Sequence, residues 1–240
     1  MSKILVSVDN LSNLPKHIDG YVLGYEKYTF FAKHLFSFEE IKAFKEQNKI
    51  YLLLNVMLHE KDIDVFRKEI DKLSTLDINF IVQDLGMVEV LKRKVDASRI
   101  IYNPYTLVCN LEEFRAYHNN LGVTIGISSQ LSLDNLEKFK GDSFITLFGY
   151  IPIYQSYRKV ISLYSEYHKE NAPKETLVKE DTRDDRHHIL ENEYGSVIFT
   201  SVPVDLTNDI NRLKDAKYLF IDSQYVENQK IEEILKGIYE

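Results

Sequence analysis

Tryptophan is absent from this chain, and cysteine occurs once, as Cys109. One thiol excludes an intramolecular disulfide. It also excludes a cysteine-rich zinc site or an iron–sulfur cage built from this chain alone. Glycine is scarce, nine in 240 residues, and no glycine-rich loop follows any predicted strand. The dinucleotide fingerprint and the Walker pattern are both missing, which removes the main motif support for an open nucleotide-binding sheet. No apolar stretch approaches the ~20 residues needed to span a bilayer. The first apolar run, Ile4–Val8, is too short for the core of a secretory leader. A cytoplasmic protein without membrane contact is therefore expected. Acids outnumber bases, 37 to 30, for a net charge of -7. That balance argues against a whole-surface polyanion binder and leaves room for a local basic patch.

What is present is a repeating alternation. Hydrophobic residues make up 44% of the chain, ample for a core, and 240 residues suit one large α/β domain, since barrels of this class run to ~250. Short apolar runs read as strands at Ile4–Asp9, Tyr21–Tyr25, Ile50–Val56, Asn79–Gln83, Arg99–Asn103, Val123–Ser128, Ser143–Phe148 and Tyr218–Asp222. Between them the apolar period turns helical, at Ser37–Gln47, Lys61–Leu76, Leu111–Asn120, Ser132–Lys140 and Val226–Tyr239. Ser37-Phe38-Glu39-Glu40 reads as a capping box, and Asn110 and Ser132 as further N-caps. Alternating units imply parallel strands joined by right-handed crossovers, and eight of them favour closure into a (β/α)8 TIM-like barrel.

One stretch breaks this rhythm. Tyr154–Lys169 reads as a tyrosine-rich helix, and the Glu193-Tyr194-Gly195 turn between two extended runs reads as a β-hairpin. The expected organisation is one barrel domain over residues 1–240, with a hairpin excursion at about 170–200 before the last strand. By the rule of this fold, such an insertion would sit over the C-terminal mouth.

Several ordered stretches resemble peptidase family U32, the collagenase-like peptidases. Tyr21-Val22-Leu23-Gly24 with Phe36-Ser37-Phe38-Glu39-Glu40-Ile41 is similar to the family's early pattern, and Ile81-Val82-Gln83-Asp84-Leu85-Gly86 to its "VQDLG" strand end. Ser128 to Leu136 resembles its "SRELSLEEI" element. Phe148-Gly149-Tyr150-Ile151-Pro152 through Arg158-Lys159 resembles the signature "HGxLPxxYSxRC", and Glu193-Tyr194-Gly195 through Ser201 the "DEYG…IFNS" hairpin. The similarity runs from about Tyr21 to Asp222. It implies a barrel and one of the family's activities: anaerobic hydroxylation in ubiquinone synthesis, hydroxylation of transfer or ribosomal RNA, or classification as a collagenase. Cluster-binding members use cysteines at and after the signature. Here Pro152 and Lys159 occupy those first positions, and residues 171–186 contain no cysteine. A four-thiolate cluster cannot form, and no cofactor is expected.

Candidate site residues follow from strand ends and from the resemblance. Gln83 and Asp84 close a predicted strand, where polar groups project into a barrel mouth; substrate binding or acid–base work stands against an Asp that simply caps the next helix. Asn55 and Asn103 hold similar places. Arg158 matches the signature arginine, and could bind a carboxylate or phosphate or form a structural ion pair. His187 and His188 are adjacent on a strand and so point to opposite faces, which disfavours a shared metal. Cys109 reads as a quiet buried thiol, and Tyr150, Tyr154, Tyr157, Tyr164 and Tyr167 as core packing rather than a stacking platform. Three readings of function stay open. One is modification of RNA or a small aromatic substrate, as enzyme or as partner of a cluster-bearing paralogue. The others are peptide hydrolysis and a non-catalytic binding barrel.

Overall fold

The computed structural model describes residues 2–12 and 14–239. Strands β1 (Lys3–Ser7), β2 (Gly20–Tyr25), β3 (Ile50–Leu54), β4 (Asn79–Val82), β5 (Ile100–Tyr102), β6 (Thr124–Gly126) and β7 (Gly141–Gly149) come first. They are followed by β8 (Pro152–Ser156), β9 (Glu175–Val178), β10 (His187–Asn192), β11 (Gly195–Phe199) and β12 (Ala216–Ile221). Pairing runs parallel from β1 through β7 to β12, and β1 pairs with both β2 and β12. That double pairing closes an eight-stranded parallel barrel, as the alternating pattern predicts. Each predicted strand corresponds to one barrel strand.

Residues up to Gly149, with those from Asp205 on, form one compact unit, and Tyr150–Val204 form another. In the first, strands such as Ile50-Tyr51-Leu52-Leu53-Leu54 are buried along their whole length, as strands covered on both faces must be. Two-residue spacing sends Tyr51 and Leu53, and likewise Tyr218 and Phe220, into the barrel interior. The rings there pack edge-on (Tyr51 on Tyr218, centroids 5.5 Å apart) or stacked (Phe144 on Phe220, 5.4 Å).

Helices α1 (Phe38–Phe44), α2 (Ile63–Leu73), α3 (Leu85–Lys92), α4 (Leu111–Leu121) and α5 (Leu133–Leu136) follow successive strands. The capping box on α1 is formed: Ser37 Oγ accepts from the Glu40 amide, and Glu40 accepts from the Ser37 amide at 2.8 Å. Asn110 caps α4. Ser132 makes no such bond to α5, which is one turn long rather than the predicted nine residues. Its hydroxyl instead accepts from the Asn135 side chain. Helix α3 lay outside the periodic segments. Its first residue follows β4 so closely that only Gln83 and the cap, Asp84, separate them. The described residues between β1 and β2 form no helix.

The second unit is an antiparallel sheet in the order β9-β10-β11-β8, with helix α6 (Val160–His168). The Glu-Tyr-Gly hairpin is there, with Asn192 paired to Gly195. The predicted helix from Tyr154 is not continuous. Its first part is strand β8, because Tyr154 and Gln155 pair with Ile198 and Val197 and cross-strand pairing outweighs local period. The tyrosines do not form a core: Tyr154, Tyr157, Tyr164 and Tyr167 are exposed, the last at 83%. The core of this unit instead contains an ion. Glu191 is 2% exposed, bonded to Lys174 Nζ at 2.6 Å, to the Ser162 amide at 3.0 Å and to the Ser162 and Ser196 hydroxyls. Burial raises its pKa, but Lys174 and the Ser162 hydroxyl and amide outweigh that and hold it at about 2.

Two outcomes are expected. An alanine Cβ at Gly126 would lie 2.4 Å from Asn103 Oδ1 and 2.8 Å from Asn103 Cα. Gly126→Ala should therefore cost about 1–3 kcal/mol in urea denaturation. Glu191 is ionised below its ordinary 4.5, so its stabilisation is present above that value and lost as pH falls toward about 2. Glu191→Gln should melt lower than wild type at pH 7, with the gap shrinking on acidification across that window.

Candidate active site at the barrel mouth

The carboxyl ends of eight parallel strands converge on one face, and polar groups placed just beyond them meet there. On β1 the last residue is Ser7. Its hydroxyl donates to Asp222 Oδ1 at 2.9 Å and accepts from the Ser223 amide at 2.6 Å, stitching β1 to the turn after β12. The Gln224 amide donates to the same Asp222 oxygen at 3.1 Å. Oδ2 of Asp222 receives no hydrogen bond from the described residues. Gly149 backs this carboxyl: a Cβ there would come within 2.7 Å of the Asp222 Cβ, and its φ of 142° also favours glycine. Burial raises the Asp222 pKa, against the Gln224 amide, the Ser7 hydroxyl and the positive charge of Lys33. Lys33 itself is held by Asp9 at 3.2 Å, the Val226 carbonyl at 2.7 Å and Asn228 at 2.6 Å.

Asn55, just past β3, is fully buried. Its Oδ1 accepts from the Phe30 and Phe31 amides at 2.7 and 3.4 Å, and its Nδ2 donates to the Phe31 carbonyl and to the Tyr105 hydroxyl at 2.9 and 3.2 Å. All of its bonding capacity goes into the loop after β2 and into Tyr105. Asn103, just past β5, accepts from the Tyr105 amide at 3.3 Å and packs on Gly126. Tyr105 thus hangs between two asparagines, in the left-handed region at φ 57°. Burial raises its pKa; the Asn55 bond opposes this and the Asp222 charge adds to it.

Asp84 makes the cap anticipated as its plainer role. Oδ1 accepts from the Met87 amide and Oδ2 from the Leu58 amide, each at 3.2 Å. Gln83 is half-buried beside it, and its amide bonds the Leu54 carbonyl at 3.4 Å. Arg158 belongs to the second unit, where it is exposed, has its amide bonded to Ser156 Oγ, and forms no ion pair among the described residues. Cys109 is exposed rather than buried, since only Val108 of the preceding apolar pair is covered. The His187 ring bonds the Phe199 carbonyl at 2.8 Å, while His188 faces Tyr150, and burial lowers its pKa. Among the described residues no three His, Cys, Asp or Glu side chains group as a metal would require.

Sequence reading missed Asp222, Tyr105, Ser7 and Lys33. Asp222 was within reach, because it ends a predicted strand as Gln83 and Asn103 do. The others depend on loop paths. A cavity of about 770 Å³ opens near Lys3, Asp19, Lys214 and Tyr239. It lies at the opposite end of the strands, away from the face where chemistry sits in this fold.

The model of peptidase family U32 matches residues 14–238, nearly the whole chain. The chain belongs to peptidase family U32. No curated protein and no solved structure matches it. The stretches that resemble the U32 motifs are joints of this architecture. The Gln83-Asp84 pair directly follows β4, with Asp84 capping α3, and the signature glycine Gly149 backs Asp222. The later signature turns into β8, and Glu193-Tyr194 forms the hairpin turn. At the positions that cluster-binding members fill with cysteine, Pro152 is buried and Lys159 exposed. With one thiol in the chain, these residues do not fit a four-thiolate cluster.

The raised Asp222 carboxyl disfavours folding more as pH rises through its folded pKa. Asp222→Asn keeps an acceptor for Ser7 and the Gln224 amide. It should raise Tm relative to wild type at pH 8, where the buried carboxyl would otherwise be driven to ionise. Below pH 3.8, the group's ordinary value, the advantage should vanish. Parallel melts across that range measure it.

Proposed function

We propose that this U32 member modifies RNA or a small aromatic substrate at the C-terminal mouth of its barrel, with Asp222 as the group that holds or moves the proton. The carboxyl itself carries the reading. One of its oxygens is fastened by Ser7 and the Gln224 amide, the other receives no hydrogen bond from the described residues, and it stands at the end of a barrel strand in a desolvated place. A carboxyl whose pKa is raised by burial is suited to exchanging a proton with a bound substrate. Gln83 and Tyr105 are the proposed substrate contacts; Asn55, Asn103 and Asp84 position them. The redox step of a hydroxylation would fall to a cluster-bearing partner, since this chain cannot cage a cluster by four thiolates.

The RNA form of the reading draws on the second unit. There the rings of Tyr164, Tyr167 and His168 gather on the exposed side of α6, with the Tyr164–His168 and Tyr167–His168 centroids 4.3 and 4.9 Å apart. Arg158, Lys159 and Lys169 form no ion pairs among the described residues. Exposed rings with unpaired cations are what single-stranded nucleic acid stacks and pairs on. Peptide hydrolysis has less behind it. Ser7, a hydroxyl at the mouth, bonds the Asp222 carboxyl and a second serine, and among the described residues no histidine bonds it to take its proton.

Mass spectrometry of RNA nucleosides, from cells with and without the gene, tests the proposal. One modified nucleoside should disappear on deletion and return with wild type but not with Asp222→Ala. An unchanged nucleoside profile, together with no RNA binding by the purified protein, would overturn the RNA reading.

A further inference from the structure

The antiparallel sheet of the second unit has two outer strands, β8 and β9. They are built differently. β8 carries Pro152, and its register with β11 shifts between Ile198 and Phe199, features that blunt an edge against further pairing. β9 has neither. It pairs with β10 in unbroken register, from Glu175 opposite Leu190 to Val178 opposite His187, and among the described residues no strand takes its other side. The ladder fixes which groups face that open side. The Glu191 amide donates to the Lys174 carbonyl at 2.7 Å, so Lys174 and, by the two-residue alternation, Thr176 and Val178 turn their backbone groups toward β10. The N–H and C=O groups of Glu175 and Leu177, and of Lys179 next along, point outward. The side chains of the same three residues share the exposed face, with Leu177 at 47%.

We propose that this edge is an interface for a second copy of the chain, the two β9 strands pairing antiparallel about a two-fold axis with Leu177 opposite Leu177 and Glu175 opposite Lys179. Backbone direction and charge select that register. Only outward-facing groups can exchange N–H···O bonds across the axis, so Glu175, Leu177 and Lys179 must meet their own kind of position. Sliding one strand by two residues in one direction sets Glu175 against Leu177; sliding it in the other sets Glu175 against Asp181. The register centred on Leu177 instead puts an acid against a base twice over, with one apolar side chain against itself on the axis. Both charges are available for this. Glu175 is exposed, and Lys179 has only a 3.9 Å contact with the exposed Asp184. Charges beside an edge ordinarily turn away an incoming strand; these match a second copy and disfavour strands of other sequence. Five residues make a short interface, so the association is weak and concentration-dependent.

Sedimentation velocity of the full chain, run at rising concentration up to about 0.5 mM, tests the pairing. Wild type should move from monomer toward dimer across that range. Leu177→Pro removes an amide that β10 does not use, so it should melt close to wild type and abolish the dimer. Glu175→Lys and Lys179→Glu each set like charges opposite one another twice, and should weaken association about tenfold. The double variant, Glu175→Lys with Lys179→Glu, restores both pairs and should return to within about threefold of wild type. These exposed charges carry the test if circular dichroism shows the proline variant unfolded. A wild type that stays monomeric throughout would overturn the proposal, whichever other strand takes the edge. A dimer that survives in folded Leu177→Pro, or one that the double variant does not restore, would overturn it as well.

Discussion

The closure of the sheet at β1 governs everything built on it. An open parallel sheet would leave two rows of unpaired backbone groups and splay its strand ends; a closed one satisfies every ladder and brings the carboxyl ends together. β1 achieves this by pairing with β2 on one side and β12 on the other. At the mouth end of that seam a side chain continues what the backbone began, as Ser7 reaches over to Asp222 and the Ser223 amide. The seam and the candidate active site therefore share atoms. Whatever keeps β1 seated also keeps the Asp222 carboxyl aimed.

Such a mouth works against stability. Burying a carboxyl is unfavourable, and a tyrosine held at φ 57° sits in a sparsely populated conformation. The surrounding structure offsets both with satisfied polar groups. Asn55 uses all of its bonding capacity on neighbours, Asn103 rests on Gly126, and Asp84 ties two loops. A shell whose members are bonded to their neighbours holds geometry without competing for a ligand.

Family membership gains physical content from this arrangement. The stretches that resemble U32 motifs fall where chain direction changes: the β4 end that caps α3, the β7 end that backs Asp222, and the tight hairpin of the second unit. These are positions where particular residue types are required by geometry. The cysteine positions are different, because Pro152 and Lys159 fill them without disturbing β8. Fold and cluster are separable in this chain, and the chemistry proposed for it leans on the barrel.

The amino-acid sequence by itself determined the eight strands, the α1 capping box, the Asn110 cap, the hairpin turn and the impossibility of a four-thiolate cluster. Each of these rests on local period, on a side chain bonding its own near neighbours, or on a residue count. It placed Gln83, Asp84, Asn55 and Asn103 at strand ends for the same reason. Tertiary structure alone decided which of those ends carries a free polar atom. Asn55 reaches 24 residues back along the chain, and Ser7 reaches 215 residues forward to Asp222, distances no periodicity encodes. The left-handed turn at Tyr105 has no local signal in a tyrosine. The exposed tyrosines of Tyr154–Tyr167 have the period of a core helix, but pairing with β11 drew the first of them into a strand and α6 left the others facing water.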